Sequence, residues 1–381
     1  MISYSTLWEW INTDNLLFLM HCNKIITRKN TVIILGNMLH LKGKGFVMFY
    51  CMSITSQNKP HFCTVDLLKK NGPYFKANLH CHTIFSDGKM TAEQVKDWYK
   101  SHGYSIVAFT DHSKFRTYPE LQDEDFVAVA GVEAAWTCLD SNNPPLKYKL
   151  CHINFWARDP ETSVYIPEEH TYDLGVINRY IANMKKNGWL CGLNHPGWSL
   201  QTTEEIQGIR GIDTFEVYNH ASQILDNNGD GQAQYAVYLN NGNHAWCIAT
   251  DDNHTGFDSD GRIGVDDGTL GGWINISMPT LSYANFIDAL ENGRFYATSG
   301  PEIHDLYIDE ERDMLVINCS PVMRVLVKGI HTIPDVRISA REDSITHAEV
   351  PLESIRKKEP FIRLELMDSK GKRAYSQPHY F

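Results

Sequence analysis

Short apolar runs alternate with helical patterns between residues 74 and 300 of this 381-residue chain. Each run is bounded by polar or turn-forming residues, as buried strands are. The segments between the runs repeat apolar positions three or four residues apart, which is the period of an amphipathic helix. The strand-like runs cover residues 76–82, 105–110, 126–133, 149–156, 189–195, 214–218 and 245–250.

Three of the intervening segments carry clear helix signals. Thr91 and Gln94 form a capping-box pattern, and Gly103 follows as a stop signal. Two further apolar stripes end at glycines, and they consist of Ile177, Ile181 and Met184, and of Phe286, Ala289 and Leu290. Strand–helix alternation of this kind predicts a parallel sheet with enough units for a barrel. We expect the barrel to be irregular, because residues 134–148 have no helical pattern.

The two ends of the chain follow other patterns. Residues 1–73 show no sustained helical or strand period, so they are an N-terminal extension of unassigned structure. Residues 301–381 alternate apolar and polar positions in segments separated by turn residues. This pattern predicts a small antiparallel β-sandwich. The predicted domains are therefore the extension 1–73, the barrel 74–300 and the β-rich domain 301–381.

Composition limits the class of protein. Apolar residues make up 43% of the chain and charged residues 21%, which is typical of a globular protein. The formal net charge of −11 argues against binding to duplex nucleic acid, which needs a basic face. A small phosphorylated substrate or a single-stranded nucleic-acid end remains compatible with this charge, because bound metal ions reverse the local sign. The apolar stretches near the N-terminus are too short to span a bilayer, so no membrane association is expected.

Cysteine usage indicates the compartment. The nine cysteines are scattered singly, without a C-x-x-C pair, and their number is odd. A disulfide framework is not expected from this pattern, and a reducing cytoplasm is predicted. Glu9 and Asp14 precede the first apolar patch, where a signal peptide would carry positive charge.

Histidines and acids lie at or near the ends of six of the seven runs. The C-terminal ends of parallel barrel strands form one rim, where active sites are found. Because residues i and i+2 of a strand share a face, the two histidines of His80-Cys-His82 are expected to point into the mouth together. The residues at the rim are His80, His82, Asp87, His112, Glu133, His152, His195, Asp252 and His254.

Each of these residues has an ordinary explanation when taken singly. The pair His80 and His82 alone is weak evidence for a metal site. Glu133 alone could be a buried carboxylate with a backbone partner, and His195 could be a loop histidine with its own hydrogen bonds. Six histidines and three acids at one rim, however, would repel one another or stay unpaired without cations. The joint pattern therefore predicts a metal site.

The ligand types indicate which metals and which chemistry to expect. Histidine with carboxylate, and no paired thiolates, suits Mn, Fe or Zn. The ligands exceed the needs of one tetrahedral site, so we expect two or three divalent ions that share a bridging carboxylate. Adjacent ions acidify a bridging water and stabilise displacement at phosphorus. The sequence thus predicts hydrolysis of a phosphate ester or phosphodiester by a metal-bridged hydroxide.

The chain also resembles the PHP (polymerase and histidinol phosphatase) family of metal-dependent phosphoesterases over about residues 76 to 300. The resemblance implies an irregular (β/α)7 TIM-like barrel with a trinuclear metal site, and residues 373–381 resemble the β-rich tail of some relatives. It is carried by His80-Cys-His82, Ser86-Asp-Gly88, Thr110-Asp-His112, Glu133, His152, His195 and Asp252-Asn-His254.

The resemblance implies three ligand sets. The first ion would be held by His80, His82, Glu133 and Asp252. Glu133 would bridge to a second ion, whose other ligands would be His152 and His195. The third ion would be held by Asp87, His112 and His254. All nine positions of the family pattern are filled in this sequence.

Further residues are assigned smaller roles. The predicted catalytic residues are Glu133, Asp252, His254 and Arg262, the last as a basic side chain that binds the phosphoryl group. Lys114 and Arg116 are alternatives for that role, although surface solvation is the simpler explanation for each of the three basic residues taken singly. Asp111 and Asp251 are expected to support the neighbouring ligands rather than bind metal. Glu216 and Asn219 end the sixth run and are predicted to line the pocket.

Two other functions remain open at the level of sequence. One is a metal-dependent amidohydrolase-type reaction, because metal-rich β/α barrels also cleave amide and ester bonds at carbon. The other is a binding module in which the metal is structural, although a structural site has no need for open metal positions. Residues 226–231 imitate the start of an EF-hand loop, but Val237 stands where that loop needs glutamate, so calcium binding is rejected.

Overall fold

The computed structural model describes residues 64–381, apart from residues 141–146, 164, 166–169, 259, 264–267 and 332–333, and the backbone of four strands between residues 8 and 55. The chain divides into two compact units, Met1–Cys63 and Thr64–Phe381. The first unit holds an antiparallel sheet of β1 (Trp8–Thr13), β2 (Leu16–Arg28), β3 (Thr31–Leu39) and β4 (Phe49–Thr55). The sequence pattern predicted no strand here, because the apolar residues of β2 occur in blocks rather than at alternate positions.

The second unit begins with the short strand β5 (Thr64–Asp66) and then contains strands at all seven predicted runs. The seven strands lie side by side, in chain order, within one large sheet. The predicted strand positions are therefore confirmed. The strands are β6 (Tyr74–Asn78), β7 (Tyr104–Phe109), β8 (Val127–Asp140), β9 (Lys147–Ala157), β10 (Trp189–Leu193), β11 (Thr214–Asn219) and β12 (Trp246–Thr250).

The directions of these strands differ from the predicted parallel sheet at one place. β6, β7 and β8 pair in parallel, and so do β10, β11 and β12. β9, however, is antiparallel to both β8 and β10. No helix is described between β8 and β9 to carry the chain back across the sheet, so β9 returns beside β8 in the opposite direction.

The predicted closed barrel is not detected in the described part of the chain. The outer edge of β6 pairs with β13 (Trp273–Ser277), which runs antiparallel to it, and β13 pairs in turn with β14 (Phe295–Thr298). β12 therefore has no hydrogen-bonded ladder to β6 among the described residues. The second unit is a mixed α/β fold built on a large sheet.

The helices of the barrel region lie where the sequence signals placed them. Thr91 Oγ1 accepts a hydrogen bond from the Gln94 N–H (3.2 Å), and Gln94 Oε1 accepts one from the Thr91 N–H (2.9 Å), so the predicted capping box is present. Both predicted apolar stripes are buried. The helices are α1 (Ala92–Ser101), α2 (Leu174–Lys186), α3 (Thr203–Gly208), α4 (His220–Asp226), α5 (Gln232–Asn240) and α6 (Tyr283–Glu291). Of the helices that the structure describes, none has the length and apolar character needed to cross a membrane.

Residues 301–381, together with β5 and the residues after it, form two antiparallel layers that share a hydrophobic core, with the short helix α7 (Glu353–Arg356) between strands. One layer is a four-stranded sheet in the order β19-β16-β15-β5. The other continues the large sheet, because β14 pairs with β21 and β21 with β20. The strands are β15 (Ile303–Asp309), β16 (Met314–Val322), β17 (Arg324–Lys328), β18 (Val336–Ser339), β19 (Ile345–Pro351), β20 (Phe361–Met367), β21 (Arg373–Tyr375) and β22 (His379–Tyr380).

A side chain from this C-terminal region completes the free edge of β12. Gln377 Oε1 accepts a hydrogen bond from the Cys247 N–H (2.8 Å) on β12. Its Nε2 donates to Cys247 O (3.0 Å) and to Phe295 O (3.2 Å) on β14. The Gln377 amide thus takes the place of a neighbouring backbone and joins two strands that do not pair with each other.

Candidate active site

The fold brings the predicted rim residues to one edge of the sheet. His80 and His82 directly follow β6, and Asp252 and His254 follow β12. Parallel bridges between Cys81 and Asn253, and between His112 and Glu133, continue the strand pairing into these loops. His152 lies at the middle of the antiparallel strand β9, opposite Ala135 of β8.

The first donor group consists of His80, His82, Glu133 and Asp252, and all four side chains are buried. Asp252 Oδ1 lies 3.1 Å from His80 Nε2 and 3.0 Å from His82 Nε2. Glu133 Oε1 lies 3.3 Å from His80 Nε2, and Glu133 Oε2 lies 3.3 Å from His82 Nε2. The grouping is the same as the first ligand set implied by the resemblance.

The second donor group surrounds the other lone pairs of Glu133. His112 Nδ1 lies 2.9 Å from Oε2, and His152 Nδ1 lies 3.0 Å from Oε1. The structure places the donor atoms of His112, Glu133 and His152 close together as one possible ligand set. His195, which the resemblance assigns to this set, has its Nε2 3.2 Å from Glu133 Oε1.

The third donor group lies nearest to solvent and consists of Asp87, His112, His254 and, in addition, His82. Asp87 Oδ1 lies 3.3 Å from His254 Nε2, and Asp87 Oδ2 lies 3.7 Å from His112 Nε2. The imidazoles of His82 and His254 stack with their centroids 4.0 Å apart. All nine predicted ligands are thus within one connected cluster, and Glu133 contacts five of its histidines.

The innermost donor atoms fit a cation better than they fit each other. Nε2 of His80, Nε2 of His82, Oε2 of Glu133 and Oδ1 of Asp252 are buried and have no hydrogen-bond partner within the described part of the chain. Their mutual N···O distances are short, yet the directions of approach are not those of hydrogen bonds. Buried polar atoms without partners are costly, and lone pairs that converge on one point are the arrangement that a metal ion satisfies. The donor set of imidazole and carboxylate therefore fits a divalent ion.

The charges in the cluster depend on one another. Burial raises the pKa of Glu133, but His152, His80 and His112 outweigh it and hold that pKa well below its usual value. Burial lowers the pKa of His254, whereas Asp87 and Asp252 raise it, with a net result of about 9. The carboxylates therefore stay ionised only in the company of positive charge, which protons on the imidazoles or bound cations provide.

Two of the ligands have unusual backbone conformations. The φ angles of His195 and Asp252 are +23° and +53°, in the left-handed region that non-glycine residues rarely adopt. The Asp252 N–H donates to His80 O (3.0 Å), and the His195 N–H donates to Glu216 Oε2 (2.6 Å). Such strain is typical of functional sites, where the surrounding structure holds it in place.

Glu216 supports the site from behind and does not line the pocket, contrary to the prediction. Its carboxylate is buried, and Oε1 lies 3.0 Å from His80 Nδ1. Asn219 is also buried; its Nδ2 donates to Glu216 Oε2 (2.9 Å) and to Asp252 Oδ2 (3.1 Å). A carboxylate that accepts from one imidazole nitrogen fixes the tautomer and leaves the other nitrogen free for a metal. Both residues were recognisable from their position at the end of the sixth run, but their role was not.

We expect Glu216→Gln to weaken divalent-metal binding about 10- to 100-fold, because the amide no longer fixes the His80 ring with full negative charge. Titration of the metal-free protein with Mn²⁺ against a competing chelator measures the affinity. Glu205→Gln is the matched control, since its carboxylate caps α3 and pairs with Lys149 (2.9 Å) away from the site. Equal affinity of Glu216→Gln and wild type would show that His80 is oriented without Glu216.

The two aspartates beside the ligands hold loops. Asp111 Oδ1 accepts hydrogen bonds from the backbone N–H groups of Thr83 (2.8 Å) and Ser86 (3.1 Å), in the loop that presents Asp87. Asp251 accepts from the Leu270 N–H (2.8 Å), the Gly272 N–H (2.7 Å) and the Tyr99 hydroxyl (2.8 Å), and burial raises its pKa to about 7. Asp252, not Asp251, points to the histidines.

The structure does not bring the predicted basic residues to the cluster. The side chain of Arg262 is 77% exposed, and its guanidinium lies 3.7 Å from Asp260 within the same turn. The turn is fixed because Asp258 Oδ1 accepts from the Arg262 N–H (2.8 Å). Lys114 Nζ donates to Phe85 O (2.6 Å), and Arg116 pairs with Glu120. None of the three lines the pocket beside the donor groups.

That pocket has an apolar wall which the sequence did not indicate. It is a cavity of about 290 Å³, lined by the predicted ligands Asp87, His112, His152, His195, Asp252 and His254. Its other lining residues are Trp198, Ala221, Ser222, Leu225 and Asp226. Trp198 follows the His195-Pro-Gly string directly, but no pattern distinguishes it from a core tryptophan.

Comparisons with known proteins give likeness of fold only. No family model matches the chain, and no curated protein matches it. The chain is similar to the crystal structure of a two-domain protein from Bacteroides vulgatus that contains a predicted PHP-like metal-dependent phosphoesterase. The two sequences are 15% identical over 82% of this chain and 98% of that chain, and the TM-score is 0.39. It is also similar to the structure of an amidohydrolase from Chromobacterium violaceum with bound sulfate. Here the identity is 14% over 57% of this chain and 96% of that chain, and the TM-score is 0.34. Both TM-scores are below 0.5, so neither likeness indicates a function for this chain.

Proposed function

We propose that this protein is a PHP-type metal-dependent phosphoesterase, which hydrolyses a small phosphate ester with two or three divalent ions of Mn, Fe or Zn. The observation that carries the proposal is Glu133, whose two oxygens contact five imidazoles from four separate places in the chain. A carboxylate shared between neighbouring donor groups is what a multinuclear centre requires. A purely structural site would be closed, whereas these groups line an open cavity.

In the proposed reaction, the bond between phosphorus and the ester oxygen breaks, and a bond forms between phosphorus and the oxygen of water. The products are the alcohol and inorganic phosphate, or a monoester when the substrate is a diester. When bound, the ions supply an acidified water and neutralise charge on the phosphoryl oxygens. His80, His82, Glu133 and Asp252 would hold the inner ion, while Asp87, His112 and His254 would hold the outer one.

The charge of the pocket supports a metal-dependent reaction at phosphate. Asp87, Asp226 and Asp252 all line the cavity, and its described lining contains no Lys or Arg. A phosphate dianion would be repelled by these carboxylates if they were alone. Bound divalent ions reverse the sign at this place and make phosphate the favoured ligand. The predicted role of Arg262 in binding the phosphoryl group is therefore assigned to the metal ions.

The test is a substrate panel with metal-loaded protein. Metal-free protein is loaded separately with Mn²⁺, Fe²⁺ and Zn²⁺, and hydrolysis is measured on phosphomonoesters, phosphodiesters and amides of matched size. We expect metal-dependent release of phosphate or alcohol from the phosphate esters. Cleavage of amides alone would favour an amidohydrolase-type reaction, and the absence of metal-dependent turnover on any substrate would leave a metal-stabilised binding module.

A further inference from the structure

The wall of the cavity beside the donor groups, formed by Trp198, Ala221, Ser222, Leu225 and Asp226, has a different chemistry from the donor groups. Trp198 and Leu225 are large apolar side chains that line the cavity, and they are 36% and 61% exposed. Exposed apolar groups beside a polar centre leave surface that a ligand can remove from water. The wall is therefore a second recognition element, next to the groups that would bind phosphate.

The indole of Trp198 is held in a fixed place. Its Nε1–H donates to Asp226 Oδ2 (2.6 Å), which ties the ring to the end of α4. The ring lies edge-on to His195 with centroids 5.0 Å apart, and its centroid is 6.0 Å from that of His152. The group esterified to a phosphate bound at the donor cluster would therefore lie close enough to contact the indole.

The charge and size of the cavity restrict what that group is. Asp226 is an acid on the same wall, so a second anionic group on the substrate would be repelled there. The described residues of the lining provide no Lys or Arg to offset this repulsion. A cavity of about 290 Å³ is at the small end of ligand pockets, which suits a phosphoryl group and one ring better than a polymer strand.

We infer that the substrate of this site is a phosphate ester of an uncharged, aromatic alcohol, and that Trp198 and Leu225 determine this specificity by packing against its ring. The inference rests on the proposed phosphoesterase function and adds no step to its chemistry. Packing between aromatic rings is favourable beyond the burial of area alone, which distinguishes an aryl group from an alkyl group of equal size.

Binding of phosphonates that cannot be hydrolysed tests this without catalysis. Calorimetry with Mn²⁺-loaded protein compares phenylphosphonate, cyclohexylphosphonate and propylphosphonate. We expect phenylphosphonate to bind about tenfold more tightly than the other two, which is the usual order of one aromatic stacking contact. Trp198→Ala should abolish the preference, whereas Trp198→Phe should retain part of it because a ring remains.

The control variant is Ile224→Ala, which removes an exposed apolar side chain of α4 next to Leu225 but outside the cavity lining. It should keep the full preference for phenylphosphonate, and Leu225→Ala should reduce it. Equal binding of the three phosphonates, or equal binding of the phenyl and cyclohexyl compounds, would overturn the inference while metal-dependent phosphonate binding still supports the phosphoesterase. Failure of all three to bind, together with no turnover of any phosphate ester, would instead overturn the proposed function.

Discussion

Glu133→Gln should release divalent metal from the donor groups that share Glu133 and lower phosphate-ester hydrolysis about 10³-fold or more, because several kcal/mol of metal stabilisation at the phosphoryl group are lost. Both carboxylate oxygens of Glu133 contact several histidines. Oε1 faces His80, His152 and His195, and Oε2 faces His82 and His112. Glutamine keeps the shape of the side chain but removes the negative charge and one acceptor. Each donor group that includes Glu133 then loses the ligand it shares.

Elemental analysis by plasma mass spectrometry, on wild type and variant loaded in parallel, measures the first effect, and phosphate release measures the second. We expect roughly two to three equivalents of metal in the wild type. Glu205→Gln is the matched control, since it also neutralises a largely buried glutamate but one that lies outside the cluster. Circular dichroism verifies that both variants are folded. Unchanged metal content in Glu133→Gln would show that Glu133 is not a ligand.

Chelation of divalent metal should abolish turnover and lower the melting temperature of the wild type by about 5 to 10 °C. With metal at about 100 times its Kd, binding stabilises the folded state by about 2.7 kcal/mol. In a folded unit of this size each kcal/mol corresponds to about 2–4 °C. The physical source of the shift is the set of inner donor atoms on His80, His82, Glu133 and Asp252, which are buried and find no hydrogen-bond partner among the described residues.

Calorimetric melting curves with chelator, and after addition of Mn²⁺ or Zn²⁺, measure the shift. The Glu133→Gln protein is the reference, because its melting temperature should respond less to metal than that of the wild type. Activity that returns on adding metal back excludes irreversible unfolding as the cause. A wild-type melting temperature that is the same with and without metal would contradict the assignment of the cluster as a metal centre.

The strand positions and most of the cluster were predictable because they depend on local rules. A buried strand needs a short apolar run, and the residues directly after parallel strands meet at one edge. His80 and His82 could therefore be placed together from their spacing, and Asp252 was preferred to Asp251 for the same reason. Both aspartates are buried, but Asp251 is turned to the backbone of the loop at residues 270–272.

What was missed depends on contacts between distant parts of the chain. The direction of β9 follows from how β8 and β9 pair, and not from any pattern within either strand. The role of Glu216 requires His80, which lies 136 positions earlier. Arg262 was placed near the mouth by proximity in sequence, but a turn held by Asp258 directs its chain away. The position of Trp198 beside the histidines depends on Asp226, which binds its indole and lies 28 positions later in the chain.

The strand that leads into Asp252 depends on the Gln377 amide, which is synthesised much later than the strand itself. Strand β12, which leads into Asp252, has its outer edge completed by a residue made 130 positions after Cys247. Until that part of the chain has emerged from the ribosome, the Cys247 amide and carbonyl lack this partner, and the strand that presents Asp252 is less firmly held. We therefore expect a chain that stops after β14 to bind metal more weakly than the full chain, although every predicted ligand is already present.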